Sequence, residues 1–313
     1  MRRIHLFGPA GRVVLAYLLV GVLWLLGSLA LPGFGAPAHL RYILELASVV
    51  GLAAAGQTVA VIGGGIDLSV SAVITVSAIL PPLFTFHDPT GLAPILLTLA
   101  VAGAIGALNG VGIGLLGVPP LIMTLAMATT LQGLLVLVAG GSAVSASNPI
   151  LDWLGSAHVI GVPVDILTWG VVSLGLLLWL HGTAGGAMIY AIGTNPLAAR
   201  LSGVPVARLT LLTYTLAGLC AGLAGLVLLA MTQQGYVGIG DPYLLSSIAA
   251  VVLGGTAILG GRGSYFGTIA GAVLLVTMTA LITVVNASAG WRNILFGCLI
   301  LAMLPLSGRE AAR

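Results

Sequence analysis

Residues 190–208 read Tyr-Ala-Ile-Gly-Thr-Asn-Pro-Leu-Ala-Ala-Arg-Leu-Ser-Gly-Val-Pro-Val-Ala-Arg and form a polar island in a very apolar chain. Asn195 is a favourable helix N-cap, and Pro196 suits the first helical position, where a missing N–H costs nothing. Gly203 suits the left-handed residue after a helix end, and the proline two residues later prevents continuation. The pattern predicts a helix of about two turns over 196–202, too short to be stable alone in water or to cross a bilayer. We expect this helix to lie at the cytoplasmic mouth of a membrane protein and to dock into a partner.

The composition indicates an all-α polytopic membrane protein. Of the 313 residues, 59% are hydrophobic and 5% are charged, and the mean hydropathy is +1.20. A soluble domain carries about 25% charged residues. Apolar runs of about 20 residues recur along the chain, whereas a β-barrel would show alternating segments of about ten residues.

Composition also excludes several functions. The arginines are dispersed, so they form no nucleic-acid-binding stripe. The sequence has no lysine and therefore no phosphate-binding P-loop, so any ATP that drives this protein is hydrolysed by another chain. Cys220 and Cys298 each lie in an apolar run, which favours small buried thiols. We expect no metal site and no catalytic set of residues, and hence no enzymatic activity.

We predict one transmembrane domain over residues 1–313, with about ten helices and a cytoplasmic loop at about 182–208. The first apolar run is longer than a signal-peptide core, which favours an uncleaved span. The predicted spans are, in order, about 13–31, 40–62, 69–86, 92–116, 119–138, 164–180, 209–231, 243–258, 265–285 and 291–306.

The arginines predict the orientation. With the N- and C-termini in the cytoplasm, the positive-inside rule is obeyed. Only Arg41 and Arg292 then fall outside, and the arginines on the cytoplasmic side are Arg2, Arg3, Arg12, Arg200, Arg208, Arg262, Arg309 and Arg313.

Two further stretches interrupt the apolar pattern with glycine. Residues 63–71 read Gly-Gly-Gly-Ile-Asp-Leu-Ser-Val-Ser, in which the glycines break a helix while Asp67 and Ser69 can cap the next one. Asp67 therefore either caps the third span at the cytoplasmic interface or has a direct gating or pathway role. Residues 250–263 repeat this outline and end in a glycine turn that carries Arg262. Spans two to five and seven to ten run in opposite directions, which suggests an inverted repeat.

Polar side chains within the spans are few, and each either forms hydrogen bonds between helices or lines the transport pathway. The carboxamides of Asn109 and Gln132 need partners in lipid, which makes them the better pathway candidates. The full set of gating and pathway candidates is Gly64, Gly65, Asp67, Ser69, Asn109, Gln132, Gly261 and Arg262.

The three glycine-containing stretches, taken together and in order, resemble the permease subunits of bacterial ribose-type sugar ABC importers. The resemblance covers nearly the whole chain. It implies a permease dimer, of identical or paralogous subunits, that takes a monosaccharide or related polyol from a periplasmic binding protein. It also implies a cytoplasmic ATPase subunit that uses ATP-Mg, while this chain itself binds no cofactor. One departure is visible, because Ser71 stands where many sugar relatives have glycine.

The same resemblance assigns residues 193–203 as the helix that couples the permease to its ATPase. The coupling residues so implied are Gly193, Thr194, Asn195, Pro196, Ala198, Ala199, Arg200, Ser202 and Gly203. Alternatives are an ABC permease for nucleosides or branched-chain amino acids, whose motifs are similar, and an ion-coupled secondary transporter. The wording Ile66-Asp67-Leu68-Ser69 favours sugars. The expected location is the bacterial inner membrane, in contact with lipid.

Overall fold

The computed structural model describes residues 9–84, 90–140, 142–145 and 148–284, together with residues 290, 291, 294, 297 and 298. Helices dominate this part of the chain, and the strands are four two-residue segments. In chain order the elements are α1 (Pro9–Ala30), α2 (Pro37–Ile62), α3 (Val70–Leu83), α4 (Leu92–Gly114), α5 (Pro120–Ala139), β1 (Val144–Ser145), α6 (Pro149–Ser156), β2 (His158–Val159), β3 (Val162–Pro163), α7 (Val164–Gly182), α8 (Ala184–Thr194), α9 (Pro196–Leu201), α10 (Val206–Thr232), β4 (Gln234–Gly235), α11 (Asp241–Leu253) and α12 (Tyr265–Val284). The predicted all-α polytopic fold is confirmed.

Seven of these helices, α1, α2, α4, α5, α7, α10 and α12, are long and apolar enough to cross a membrane. The third and eighth predicted spans are instead the short helices α3 and α11, of 14 and 13 residues, below the roughly 20 that a full span needs. The predicted continuation of the eighth span to Ile258 is wrong, because α11 ends at Leu253 before the Gly254–Gly255 pair. The tenth predicted span, 291–306, lies almost entirely outside the described residues.

Small residues allow the helices to approach closely. Gly110 and Gly114 on α4 face the backbone of α10: a Cβ added to Gly110 would lie 2.6 Å from the Cα of Leu211, and one added to Gly114 would lie 2.9 Å from the carbonyl oxygen of Ala207. Helices whose backbones touch in this way gain dispersion energy without any hydrophobic driving force from water. Accordingly, α10 packs most extensively against α4.

The contacts repeat between the two halves of the chain. Helix α10 packs against α4 and α3, and helix α2 packs against α12 and α11. The two short helices touch each other near their N-terminal ends, where the Gly240 N–H that precedes α11 donates to Thr75 Oγ1 of α3 at 3.1 Å. This arrangement fits the predicted inverted repeat, in which α2 and α3 correspond to α10 and α11.

A buried hydroxyl ties three of these helices together. Tyr265, at the start of α12, donates its phenolic O–H to the Gly51 carbonyl of α2 at 2.9 Å. It accepts from Trp169 Nε1 at 2.9 Å and from Ser173 Oγ at 3.3 Å, both on α7. Leaving a buried polar group without a hydrogen bond is costly, so this cluster favours one relative position of the helices.

The opposite end of the bundle is closed by the segment between α5 and α7. Strand β1 pairs antiparallel with β4, and β2 pairs antiparallel with β3 in a hairpin. Helix α6 is capped by Asn148, whose side chain accepts from the backbone N–H groups of Ile150 and Leu151.

The two cysteines differ in burial. Cys220 is buried but Cys298 is exposed, so the predicted burial is wrong for Cys298.

Candidate functional site

The predicted short helix is present as α9, over Pro196–Leu201. Asn195 caps it, its side-chain oxygen accepting from two backbone N–H groups of the first turn at 3.0 and 3.1 Å. At the other end Ser202 is the C-cap and Gly203 has φ +84°. The N–H groups of Gly203 and Val204 each bond back to the last turn at 3.0 Å, which is the Schellman termination. Both caps are confirmed, and Ser202 lies just outside the helix.

A second helix that the sequence reasoning missed leads directly into α9. Helix α8 covers Ala184–Thr194, and only Asn195 separates it from α9. Its N-cap is Thr183, whose hydroxyl accepts from the Gly186 N–H at 3.1 Å. A threonine followed by a run of small residues was the available signal, but the two glycines obscured it.

Helix α9 has an inner and an outer face. Ala199 is 6% exposed and lies in a small apolar cluster with Ile192 and Leu209. Leu197 and Leu201 are 67% and 81% exposed. Residues four apart share one face of a helix, so these two leucines form an apolar pair on the outside of α9. Neither was among the predicted coupling residues, although two leucines four apart in a polar segment were a readable signal.

The three stretches that the sequence singled out meet at one place. We call this place the glycine junction and define it by Gly64, Gly193, Gly260 and Gly261. The Gly261 N–H donates to the carbonyl of Ile62, the last residue of α2, at 2.9 Å. A Cβ on Gly260 would lie 2.7 Å from Gly64 Cα. The junction therefore joins the end of α2, the end of α8 and the loop between α11 and α12.

Gly193 occupies the tightest position in the junction. A Cβ added there would collide with the carbonyl oxygen of Ile62 and would lie 2.5 Å from the Gly261 nitrogen. Both neighbours are backbone atoms that cannot rotate away. Only glycine fits at this point, because any side chain would push α8 away from α2.

Further contacts fasten α8 to the loop between α11 and α12. The Tyr190 hydroxyl donates to the Gly263 carbonyl at 2.9 Å, and burial raises the pKa of this phenol. Within the loop, the Ala257 N–H donates to the Arg262 carbonyl at 2.9 Å. The Arg262 side chain is exposed. Of the predicted gating residues in this loop, Gly261 is therefore inside the junction and Arg262 is at its surface.

Asp67 lies just beyond the junction and is 2% exposed. Its Oδ1 accepts from the Ser69 N–H at 2.8 Å and from Ser69 Oγ at 2.6 Å. Ser69 Oγ in turn accepts from Asn109 Nδ2 of α4 at 2.9 Å. Burial raises the pKa of the Asp67 carboxyl, and the two hydrogen bonds from Ser69 oppose this effect.

This geometry corrects one prediction. Neither Asp67 nor Ser69 caps α3 through its side chain, since Ser69 is the N-cap residue without a side-chain capping bond. Asp67 instead closes the turn before α3 through its two hydrogen bonds with Ser69, and the Ser69 hydroxyl links this turn to Asn109 of α4. The turn is also fastened to α5, because the Leu68 N–H donates to Thr124 Oγ1 at 3.0 Å.

The other carboxamide candidate lies elsewhere. Gln132 is exposed on α5, whereas Asn109 is buried on α4, so the two candidates do not share a site.

Gly65 lies beside the Tyr214 hydroxyl, at the wall of a cavity of about 310 Å³ between α9 and Gly63–Gly65. Among the described residues, no three His, Cys, Asp or Glu side chains are grouped closely enough to hold a metal ion.

Long apolar helices, broken helices in both halves and a short exposed helix fastened to the breaks define a polytopic membrane transport protein. The chain belongs to the family described as "Branched-chain amino acid transport system / permease component", which it matches over residues 39–304. It is accordingly a multi-pass inner-membrane protein and a component of a transport system.

Individual relatives are sugar permeases by name. The chain is 33% identical to the ribose import permease protein of Escherichia coli (strain K12), with 89% of this chain and 88% of the relative covered. It is 31% identical to the ribose import permease protein of Bacillus subtilis (strain 168), covering 99% and 97%. The fructose import permease protein of Rhizobium meliloti is 34% identical, covering 84% and 76%. No solved structure matches the chain.

Proposed function

We propose that this chain is the permease subunit of an ATP-binding cassette importer that carries a monosaccharide or related polyol from the periplasm to the cytoplasm. The observation that carries the proposal is the likeness to ribose and fructose import permeases over most of the chain. The family description mentions branched-chain amino acids, but the relatives named above favour sugars over amino acids or nucleosides.

A separate cytoplasmic ATPase subunit supplies the energy in this proposal. The chain has no lysine and so no P-loop, and the partner therefore binds ATP-Mg. Helix α9 is the proposed docking element, since its outer face presents Leu197 and Leu201 to solvent. Apolar side chains that are exposed on a capped, rigid helix are suited to a protein partner, because little conformational entropy is lost on binding.

The glycine junction is the proposed route of coupling. A displacement of α9 moves α8, and Gly193 transmits the movement directly to the carbonyl of Ile62 and to Gly261 because no side chain separates them. The Gly63–Ser69 turn follows, together with the Asp67, Ser69 and Asn109 network at the start of α3. An ATPase shifts this equilibrium only if it binds α9 differently in the two states.

A second permease copy, identical or paralogous, is proposed to cover α5. This helix exposes Thr129, Thr130 and Gln132. The two threonine hydroxyls bond to the carbonyl four residues earlier, but a carboxamide such as Gln132 is costly in lipid and favours a protein or water-lined surroundings. The transport path is therefore proposed to run between the two copies along α5, with a periplasmic binding protein delivering sugar at its outer end.

The sidedness is also a proposal. The start of α1 and the glycine junction lie at the same end of the bundle, since Arg12 contacts Gly255, whose Cβ would lie 2.9 Å from that of Arg12. The distribution of arginines supports placing this end, with both termini, in the cytoplasm.

The test is reconstitution of the permease in proteoliposomes with the cytoplasmic ATPase and the periplasmic binding protein that the proposal requires. We expect uptake of labelled ribose or fructose that requires ATP and the binding protein, and that unlabelled leucine or nucleosides do not compete away. The control is an ATPase whose P-loop lysine is replaced by alanine. Uptake that persists with this control and follows an ion gradient would identify a secondary transporter instead.

A further inference from the structure

The cavity beside α9 is lined by glycines, by apolar side chains of the core and by four polar side chains. It lies between α9, the lower turns of α10 and Gly63–Gly65, and its volume of about 310 Å³ is at the lower end of the range for small-molecule sites. Its polar side chains are Arg200 of α9 and Thr210, Thr213 and Tyr214 of α10, and no acidic residue is among those that line it.

The threonines of the cavity differ from others in this protein. Helical threonines here typically donate their hydroxyl to the carbonyl four residues earlier, as Thr98, Thr130 and Thr215 do. This bond satisfies a hydroxyl in an apolar environment. Within the described part of the chain Thr210 and Thr213 make no such bond, although Thr215 on the same helix does. Their hydroxyls are therefore free to serve a ligand.

The tyrosine provides an independent observation. Tyr214 is 3% exposed, and its hydroxyl has no hydrogen-bond partner among the described residues. A buried hydroxyl without a hydrogen-bond partner is unfavourable and requires an explanation. Because Tyr214 lies one turn from Thr210, the two side chains share one face of α10.

The chemistry of this set points to one kind of ligand. The lining combines one guanidinium with three hydroxyls, each able to donate, and Arg200 is the one charged residue in it. The buried Asp67 carboxyl lies near Tyr214 at the far side of the cavity wall and is engaged by the N–H and hydroxyl of Ser69. Arginine and hydroxyl donors together are suited to the tetrahedral oxygens of a phosphate group. We propose that this cavity binds a phosphate group, carried by a soluble phosphomonoester or by a lipid headgroup.

The location gives the site a consequence for transport, and this part rests on the proposed function of α9. A ligand held between Arg200 on α9 and the hydroxyls on α10 would fix α9 relative to the bundle core. It would therefore stabilise one of the two states that the ATPase distinguishes. The binding itself is a property of the permease alone and does not depend on that function.

The experiment measures binding to the purified permease without its ATPase. In detergent, inorganic phosphate and glycerol 3-phosphate are titrated by calorimetry, with glycerol as the neutral control. In a parallel arm, delipidated permease is titrated with phosphatidylglycerol and followed by native mass spectrometry. Soluble probes that bind identify a phosphomonoester site, and retention of the lipid alone identifies a headgroup site.

Matched variants test the residues. Arg200→Gln should weaken binding about tenfold or more, as expected for the loss of a charge-assisted contact, whereas Arg208→Gln, an exposed arginine of the same segment outside the cavity, should not. Thr210→Val, which removes the hydroxyl at nearly constant shape, should weaken binding roughly fivefold, and Thr210→Ser should restore it. The proposal is overturned if neither probe class binds, if Arg200→Gln binds as well as the wild type, or if Arg208→Gln loses as much. If the permease imports sugar normally but binds neither class of probe, the phosphate proposal fails and the proposed function stands.

Discussion

Replacing Gly193 with alanine separates the effect of the tertiary structure from the effect of local propensity. Gly193 lies in the last turn of α8, and glycine to alanine inside a helix normally stabilises by roughly 0.5–1 kcal/mol. In this structure the new methyl group would collide with the Ile62 carbonyl oxygen and would lie 2.5 Å from the Gly261 nitrogen. The two considerations predict effects of opposite sign.

The magnitude follows from the contacts that must yield. Forcing an extra methyl group into a packed site costs about 1–3 kcal/mol. Moving α8 away also stretches the 2.9 Å hydrogen bond from Gly261 to Ile62, which is worth about 0.5–1.5 kcal/mol. After subtraction of the helix-propensity gain, we expect a net destabilisation of about 0.5–4 kcal/mol.

Two measurements check this expectation. The apparent thermal midpoint of the purified permease should fall by several degrees, and ATP-driven uptake should decrease more than the amount of folded protein does, because the route from α9 is disturbed. The matched control is Gly185→Ala in the same helix, where the nearest atom to the new methyl group lies at an ordinary 3.5 Å. This control should be neutral or slightly stabilising. An unchanged or higher midpoint for Gly193→Ala, with normal uptake, would refute the reasoning about the junction.

Three other predictions concern α9, Tyr265 and the turn before α3. Leu201→Asp changes an exposed side chain, so insertion and the thermal midpoint should be unchanged while co-purification with the ATPase is lost; retained co-purification would contradict the docking face. Tyr265→Phe removes the hydroxyl and leaves its three partners, the Trp169 N–H, the Ser173 hydroxyl and the Gly51 carbonyl, without that bond. The free energy of unfolding should fall by about 1–3 kcal/mol, measured by thermal unfolding. Ser69→Ala and Asn109→Ala remove the two ends of one hydrogen bond, so their stability losses should be non-additive by about 1 kcal/mol; additive losses would show that the bond contributes nothing.

Ala199, one of the predicted coupling residues, illustrates why the face of a helix matters. Sequence spacing alone did not distinguish Ala199 from its neighbours, but the structure buries it against Ile192 and Leu209. A charge at Ala199 would disrupt the protein's own packing, so a loss of transport there would not report on docking. Leu197 and Leu201 provide the sharper test.

The sequence by itself determined the local features of this protein. Its hydropathy determined the membrane class, because apolar helices must satisfy their own backbone hydrogen bonds in lipid. Asn195, Pro196 and Gly203 determined the bounds of α9, since capping depends only on residues within a turn or two. The glycine clusters likewise marked where α2 and α11 end.

Only the tertiary structure decided how these local features combine. The glycine junction joins residues from three distant parts of the chain. A glycine in the sequence indicates that another backbone can approach closely, but it does not indicate which segment that backbone belongs to. The pairing of Ser69 with Asn109, the outward position of Gln132 and the inward position of Ala199 depend in the same way on how helices pack. Packing is determined by shape between distant segments, which no short window of sequence contains.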